Sequence, residues 1–408
     1  MQTRTANVTD DTPVTPTPTL VDVLPPPAEV DGIRQLVEEQ PVRSGVADDA
    51  ADPSRRAVIL RATSAEVVGA GMRVAGLSVV ERSLKQLHRM GLSVIVASDG
   101  SCPLPKYLPP TAMLRRVPRP DELSALRKEL EGVPEVGADE VRPTNVGLDG
   151  GLRVTDEASR RKAETAVFSE LLRGDLGFVA RYLNKPVSFF ITRHLLSRLP
   201  VTPNQVTLGA AVIGLTGAVL IATGNGALML WGFFLAHVQS ILDGCDGELA
   251  RVRFQQSALG EWLDTLVDDG LNIAIFTAIG LGFHRATGSS LYLSAGLVSA
   301  LMHIVYDFVA LTEIRRQGET GEIIKVRWRL TGSDNMKTRL VRKGVTPTLV
   351  LYTMGRRDFF VLAFLVYALL GLGKLTLVHA FLIAAPLFVI AAYQVIWRLR
   401  GSPELRAH

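Results

Sequence analysis

The stretch 243–268, DGCDGELARVRFQQSALGEWLDTLVD, decides how the rest of this chain is read. It carries Asp243, Asp246, Asp264 and Asp268, with Gly244, Gly247, Ala250 and Gly260 among them and Arg251 after the first pair. Immediately upstream, no Asp, Glu, Lys or Arg occurs from Leu199 to Leu242. An ionised side chain at mid-bilayer costs roughly 2.5–3.5 kcal/mol even on a lenient scale, so carboxylates at the edge of such a run need a reason. If both parts are helical, Asp243 and Asp246 stand at i,i+3 and Asp264 and Asp268 at i,i+4. Each pair then shares a face, with Cβ atoms about 5–6 Å apart. Gly260 lies one turn earlier on the face of Asp264 and Asp268, where a glycine lets a second helix or a ligand come close. Two facing helices would present four carboxylates to one small volume. Four like charges need cations, and oxygen-only donors favour hard ions such as Mg2+ or Mn2+.

Outward from this stretch, the uncharged run is far longer than the roughly 20 residues of one span. It divides at Ala222-Thr223-Gly224-Asn225-Gly226 into a hairpin. Later apolar segments fall at 259–283, 288–312, 358–374 and 376–398, giving an all-α six-helix transmembrane bundle over residues 201–400. Lys and Arg crowd the front and the 314–357 loop, while the loops near 224, 286 and 375 hold few basic residues. The positive-inside rule then places both termini in the cytoplasm, as expected of a plasma (inner) membrane protein with an even number of spans. Asp243 would lie roughly 24 Å along the second span, so all four carboxylates gather in the cytoplasmic third.

The front is different in kind. Residues 1–53 are rich in Pro, Thr and Asp, lack the apolar core of a secretory signal, and read as a solvated leader. Residues 54–150 read as a small cytosolic α/β (Rossmann-like) domain. AVILRA (57–62) and LSVIVAS (92–98) are strands, and Leu77, Val80, Leu84 and Leu87 repeat at helical spacing up to Gly91. That order predicts a parallel pair. DELSALRKELEG (121–132) reads as a further helix. Residues 151–200 form a basic connector, whose stretch 176–198 sets Phe178, Phe189, Phe190, Leu195 and Leu196 beside Arg181, Lys185, Arg193 and Arg198, the pattern of an interfacial helix. The two cysteines, Cys102 and Cys245, form no disulfide framework.

Asp243, Asp246, Gly247, Ala250, Arg251, Gly260, Asp264 and Asp268 match D-x2-D-G-x2-A-R-x8-G-x3-D-x3-D position for position. On these residues the membrane part resembles the CDP-alcohol phosphatidyltransferase family. VTPNQVT (201–207) is similar to that family's Pro-Asn-x-x-Thr before its first span. The resemblance implies transfer of a phosphatidyl or phosphoalcohol group from a CDP-linked alcohol or CDP-diacylglycerol to an alcohol or lipid acceptor, with release of CMP, as in phospholipid biosynthesis. It implies that Asp243, Asp246, Asp264 and Asp268 hold two Mg2+ or Mn2+ ions and that Asp268 is the general base. Gly247 and Ala250 would leave room for the nucleotide, and Arg251 would pair with a phosphate oxygen. Gly260 belongs to the same nucleotide and phosphate set. Asn204 and Thr207 would reach the nucleotide, with a simple helix cap as the rival reading. A homodimer is implied as well, among membrane lipids and with no nucleic acid partner.

The front unit resembles a degenerate sugar-phosphate nucleotidyltransferase. Its loop ATSAEVVGAGMR keeps Gly69, Gly71 and Arg73, but displaced and preceded by Glu66, which would repel phosphate. It is therefore expected to make no CDP-alcohol itself. The fused order looks most like members that join CDP-inositol to inositol phosphate into a soluble phosphodiester. Arg356 and Arg357 are candidates for gripping an acceptor's phosphate, or plain membrane anchors. His303 and Asp307, at i,i+4, read as packing with an internal hydrogen bond. Cys245 reads as a gap filler, Glu248 is ambiguous, Asp269 is turned about 100° from Asp268 and left out of the site, and Trp328 is read at the interface. A cation or proton transporter and an inactive scaffold are the rivals from other classes; the first would favour midplane carboxylates and inverted repeats.

Overall fold

The computed structural model describes residues 57–142, 151–171, 177–317, 326, 328 and 353–400. The leader 1–53 and most of the 314–357 loop lie outside them.

The front unit is a four-stranded sheet. β1 (Ala57–Ala62) leads through the short helix α1 (Val67–Gly71) and a two-strand ribbon, β2 (Arg73–Val74) and β3 (Leu77–Ser78), to α2 (Val79–Arg89). β4 (Ser93–Ser98), β5 (Ala112–Arg116), α3 (Pro120–Glu129) and β6 (Glu135–Gly137) follow. The sheet order is β5-β4-β1-β6 and every pairing is parallel, with Ala57 opposite Ser93 and Ala62 opposite Ser98. The strand–helix–strand expectation is met. Ser78 caps α2 by accepting from the Glu81 N–H, and Gly91 ends it at φ +73°, a left-handed turn that suits glycine. Leu77, Val80, Leu84 and Leu87 are all buried. A second ribbon, β7 (Glu140–Val141) and β8 (Leu152–Arg153), leads to α4 (Glu157–Glu170), which starts on a capping box at Asp156.

The connector is helical over 180–196: α5 (Lys185–Ile191) lies between two π-helical turns, 180–184 and 192–196. Phe178, Phe190 and Leu195 are exposed, but Lys185 is buried and leaves the basic face expected of it.

The membrane part follows: α6 (Pro203–Ala222), α7 (Gly226–Arg253), α8 (Ala258–Thr287), α9 (Ser290–Gln317), α10 (Arg357–Leu369) and α11 (Leu375–Leu399). Five of these, all but α10, are long and apolar enough to cross a membrane. The sixth expected span falls on α10. α10 has 13 residues, about 20 Å at 1.5 Å per residue, short of the roughly 30 Å hydrocarbon core. Its C-terminal turn stops at Gly371, φ +72°. The core is aromatic and aliphatic: Ile221, Met229, Phe233, Phe276, Phe360 and Phe364. Helices approach closely where glycines face one another. A Cβ on Gly280 would stand 2.9 Å from the Gly296 Cα, and one on Gly217 2.8 Å from the Gly232 carbonyl.

Two arginines tie the halves together. Arg82, 2% exposed, donates to the Val74 carbonyl at 3.0 Å and the Val252 carbonyl at 2.8 Å. Burial pulls its guanidinium down to about 10. Arg253 donates to the carbonyls of Leu196, Ser197, Leu199 and Val201 at 2.5–3.1 Å. Between them Phe254 caps α7 in the left-handed region, φ 56°, with the Arg82 and Arg89 guanidinia 5.4 and 5.5 Å from its ring centroid.

Candidate active site

α7 and α8 bring the two acidic pairs together. One carboxylate oxygen from each of Asp243, Asp264 and Asp268 lies within 4.8 Å of the others. Helix spacing alone sets the pairs on their faces; the short turn after Phe254, restarted by the Ser257 cap on the Gly260 N–H, folds α8 back against α7. Asp246, 5% exposed, is not in that trio. Its carboxylate accepts from the Thr207 hydroxyl of α6 and, at 2.5 Å, from the Gly247 N–H. Thr207 is buried and also donates to the Pro203 carbonyl at 3.2 Å. Thr207 thus fixes an aspartate.

The remaining sequence candidates sit around this cluster. A Cβ on Gly260 would lie 3.2 Å from the Asn204 side-chain oxygen, so glycine there lets α6 and α8 meet. A Cβ on Gly247 would lie 3.5 Å from the Arg251 guanidinium, which is exposed and lies over that glycine. Ala250 is half-buried on the next turn. Thr202, not Asn204, caps α6, and it does so as a capping box with Gln205. Asn204 is therefore not the cap, because α6 begins two residues earlier than a cap there would need.

Arg357 goes well beyond membrane anchoring. It reaches from the start of α10 into the trio, ion-paired with Asp268 and 3.7 Å from Asp243. It also donates to the Gln239 side-chain oxygen at 2.7 Å. Gln239 in turn donates to Asp243 at 3.4 Å and is 1% exposed. Arg356 pairs with Asp358 at 3.1 Å, and Asp358 accepts from the Ala180 N–H at 2.9 Å. A cavity beside the trio is lined by Asn184, Lys185, Asp243, Asp268, Arg356 and Arg357. Three carboxylate oxygens converge in the trio, a donor set that fits a hard divalent ion. An arginine at the rim answers part of their charge.

Sequence reasoning missed three groups. Glu248 is fully buried and takes Lys185 at 2.7 Å, Ser188 at 2.6 Å and Thr192 at 2.8 Å. It pins the connector onto α7, which explains the buried lysine. The four-residue step from Gln239 to Asp243 was legible and passed over. His303 and Asp307 do not make their expected hydrogen bond. The His303 Nε2 stands 3.7 Å from Asp307 and 3.8 Å from Asp269. Trp328 stacks on Tyr306, ring centroids 5.4 Å apart. Cys245 is buried as expected.

The front domain's glycines form no cradle. Gly69 sits in α1, where a Cβ would meet the Val154 carbonyl. Glu66, 1% exposed, pairs with Arg61 at 2.5 Å and accepts from the Thr63 N–H at 3.0 Å and its hydroxyl at 2.6 Å. A carboxylate of the chain itself thus lies at the carboxyl end of β1, where open α/β sheets take ligands.

Residues 200–397 match the sequence model of the CDP-alcohol phosphatidyltransferase family. The chain is 26% identical over 230 residues to a protein of Aquifex aeolicus named bifunctional IPC transferase and DIPP synthase, 55% of this chain and 45% of that one. A protein of the same name from Rubrobacter xylanophilus is 37% identical over 136 residues, 33% of this chain and 29% of the other. One from Archaeoglobus fulgidus is 28% identical over 186 residues, 45% and 35%. The chain thus matches less than half the length of these relatives.

Proposed function

We propose that this chain, with a CDP-alcohol phosphatidyltransferase region at residues 200–397, is a membrane transferase that moves a phosphatidyl or phosphoalcohol group from a CDP-linked donor to an acceptor hydroxyl. The acceptor oxygen bonds to the β-phosphorus, the bond from that phosphorus to the bridging oxygen breaks, and CMP leaves with the electron pair. The hydroxyl proton goes to Asp268. The observation that carries this reading is the meeting of Asp243, Asp264 and Asp268 within 4.8 Å across two helices. Together with Asp246 they would hold two Mg2+ or Mn2+ ions. When bound, such ions neutralise the diphosphate and ease both the attacking and the leaving oxygen. Thr207 keeps Asp246 turned inward, Arg251 over Gly247 is placed to pair with a phosphate oxygen, and Ala250 leaves the nucleotide room. The closeness of Asn204 and Gly260 supports placing both beside the nucleotide. A free carboxylate is a weak base for an alcohol, so proton transfer must accompany attack.

In this reading α10 completes a sixth crossing, and the site and both termini face the cytoplasm of a plasma membrane. The basic 314–357 loop supports that orientation. The front domain makes no CDP-alcohol, which the buried Gly69 and the Glu66–Arg61 pair support. The working unit is a homodimer.

One observation favours a narrower reading, in which CDP-inositol is joined to inositol phosphate. The cavity beside the trio is lined by Lys185, Arg356 and Arg357, which suits an acceptor that itself carries a phosphate. The relatives named IPC transferase and DIPP synthase are compatible with it.

The test is purified full-length chain, Mg2+ or Mn2+, and a panel of CDP-alcohols with neutral and phosphorylated acceptors, scored by CMP release. Acceptor-dependent CMP release is expected. Ion flux in liposomes with no CMP release from any pair would overturn the transferase reading in favour of transport.

A further inference from the structure

A second polar cluster lies on the other side of α8 from the trio. Asp269 follows Asp268 but is turned about 100° around the helix, so it faces α9 rather than α7. There it meets His303 and Asp307, one turn apart on α9. One ligating atom from each of the three lies within 4.8 Å of the others. The imidazole Nε2 is 3.8 Å from Asp269 and 3.7 Å from Asp307. These separations exceed hydrogen-bonding range.

Burial makes the arrangement demanding. His303 is 5% exposed and Asp307 7%. Both ring nitrogens of His303 and both carboxylate oxygens of Asp307 are buried without a hydrogen-bond partner among the described residues. Each buried polar group left so costs about 1–3 kcal/mol. The Phe276 ring stands edge-on to the imidazole, centroids 5.7 Å apart, and offers no acceptor. Two carboxylates flanking one imidazole carry more negative charge than a single proton on the ring balances.

A cation at the centre would take the His303 Nε2 lone pair and balance both carboxylates at once. Donors bound to a tetrahedral ion at about 2.0–2.2 Å stand about 3.4 Å apart, so the imidazole needs to close on each carboxylate by only a few tenths of an ångström. The donor set also chooses the ion. One imidazole and two carboxylates suit Zn2+ or a similar borderline transition ion, whereas the oxygen-only trio suits Mg2+.

We infer that Asp269, His303 and Asp307 form a second metal site, selective for a borderline divalent transition ion such as Zn2+, that ties α8 to α9 one residue beyond the proposed base. The assignment does not depend on the transferase reading.

The experiment strips full-length protein in detergent with chelator, then dialyses it against micromolar Zn2+ in millimolar Mg2+ and counts zinc per chain by elemental analysis. His303→Gln and Asp307→Asn should each lose about one zinc per chain relative to wild type. Asp243→Asn should lose none by this mechanism. His303→Cys should keep the ion and, loaded with Co2+, show a thiolate-to-cobalt charge-transfer band. Wild type without zinc under these conditions, His303→Gln at wild-type stoichiometry, or His303→Cys without that band would overturn the proposal. Because the cysteine variant is read by a new signal and not by a loss, misfolding of the glutamine variant does not decide the matter.

Discussion

The sheet domain and the helical bundle each set carboxylates at the place where their architecture would receive a ligand, and they treat those carboxylates in opposite ways. At the carboxyl end of β1, Glu66 is matched by Arg61, which also holds Glu135, which Arg127 holds in turn. Two acids and two guanidinia close that network. In the bundle, Asp243, Asp264 and Asp268 crowd together, and Arg357 pairs with Asp243 and Asp268. The first arrangement matches each carboxylate with a guanidinium. The second sets three carboxylates against one guanidinium, a surplus of negative charge that suits a bound cation. A ligand site is thus told from a structural one by the charge left over, not by the residue types present.

The sharpest way to break the comparison is to remove the surplus. Asp243→Asn or Asp268→Asn should lower CMP release by about 10²–10³-fold or more, the scale for losing charge stabilisation at a reacting centre. Their melting temperatures should hold or rise, since like-charge repulsion is relieved. Near-wild-type turnover in both would erase the distinction. Next in size, Glu248→Ala leaves the Lys185 ammonium buried without its partner and should cost about 3–5 kcal/mol in unfolding. The paired change Lys185→Met with Glu248→Leu should recover most of that. Failure to recover would mean that Ser188 and Thr192, not the charge pair, hold the connector.

Smaller effects belong to the closed domain. Gly69→Ala must push against the Val154 carbonyl and should cost about 1–3 kcal/mol, while CMP release per folded molecule stays at wild type. A fall in specific activity would show that this domain takes part in turnover. The least effect is at Cys102, whose thiol burial pushes up to about 11. At pH 8 only about one molecule in 1,000 then carries the thiolate, so alkylation of the folded chain should be slow and quicken as pH rises. Rapid labelling at pH 8 would show that the sheet's edge opens.

How much of this was legible before the fold was in hand follows the range of each interaction. Strand and helix periods are local, and AVILRA, LSVIVAS and the leucine repeat gave their elements to within a residue or two. The acidic pairs were legible because helix geometry fixes i,i+3 and i,i+4 neighbours. Partners across elements were not. Lys185 meets Glu248 63 positions away, and Arg357 meets Gln239 118 positions away. No local pattern encodes either meeting, so Lys185 read as part of a basic interfacial face and Arg357 as a grip on an acceptor's phosphate or a membrane anchor. The helix of the sixth expected span is shorter than its apolar run for another reason: the run reaches residue 374, but the helix within it ends at Leu369.

Arg82 reaches out of the sheet domain to the penultimate carbonyl of α7, the helix that bears Asp243 and Asp246. The acidic helix therefore finishes inside the front half of the molecule. A bundle severed from that half would fray at this end, two to three turns from its own aspartates. A chimaera that grafts another front half onto these helices inherits the same requirement: it must bring a guanidinium to that carbonyl, or the graft will fail even where neither half is misfolded.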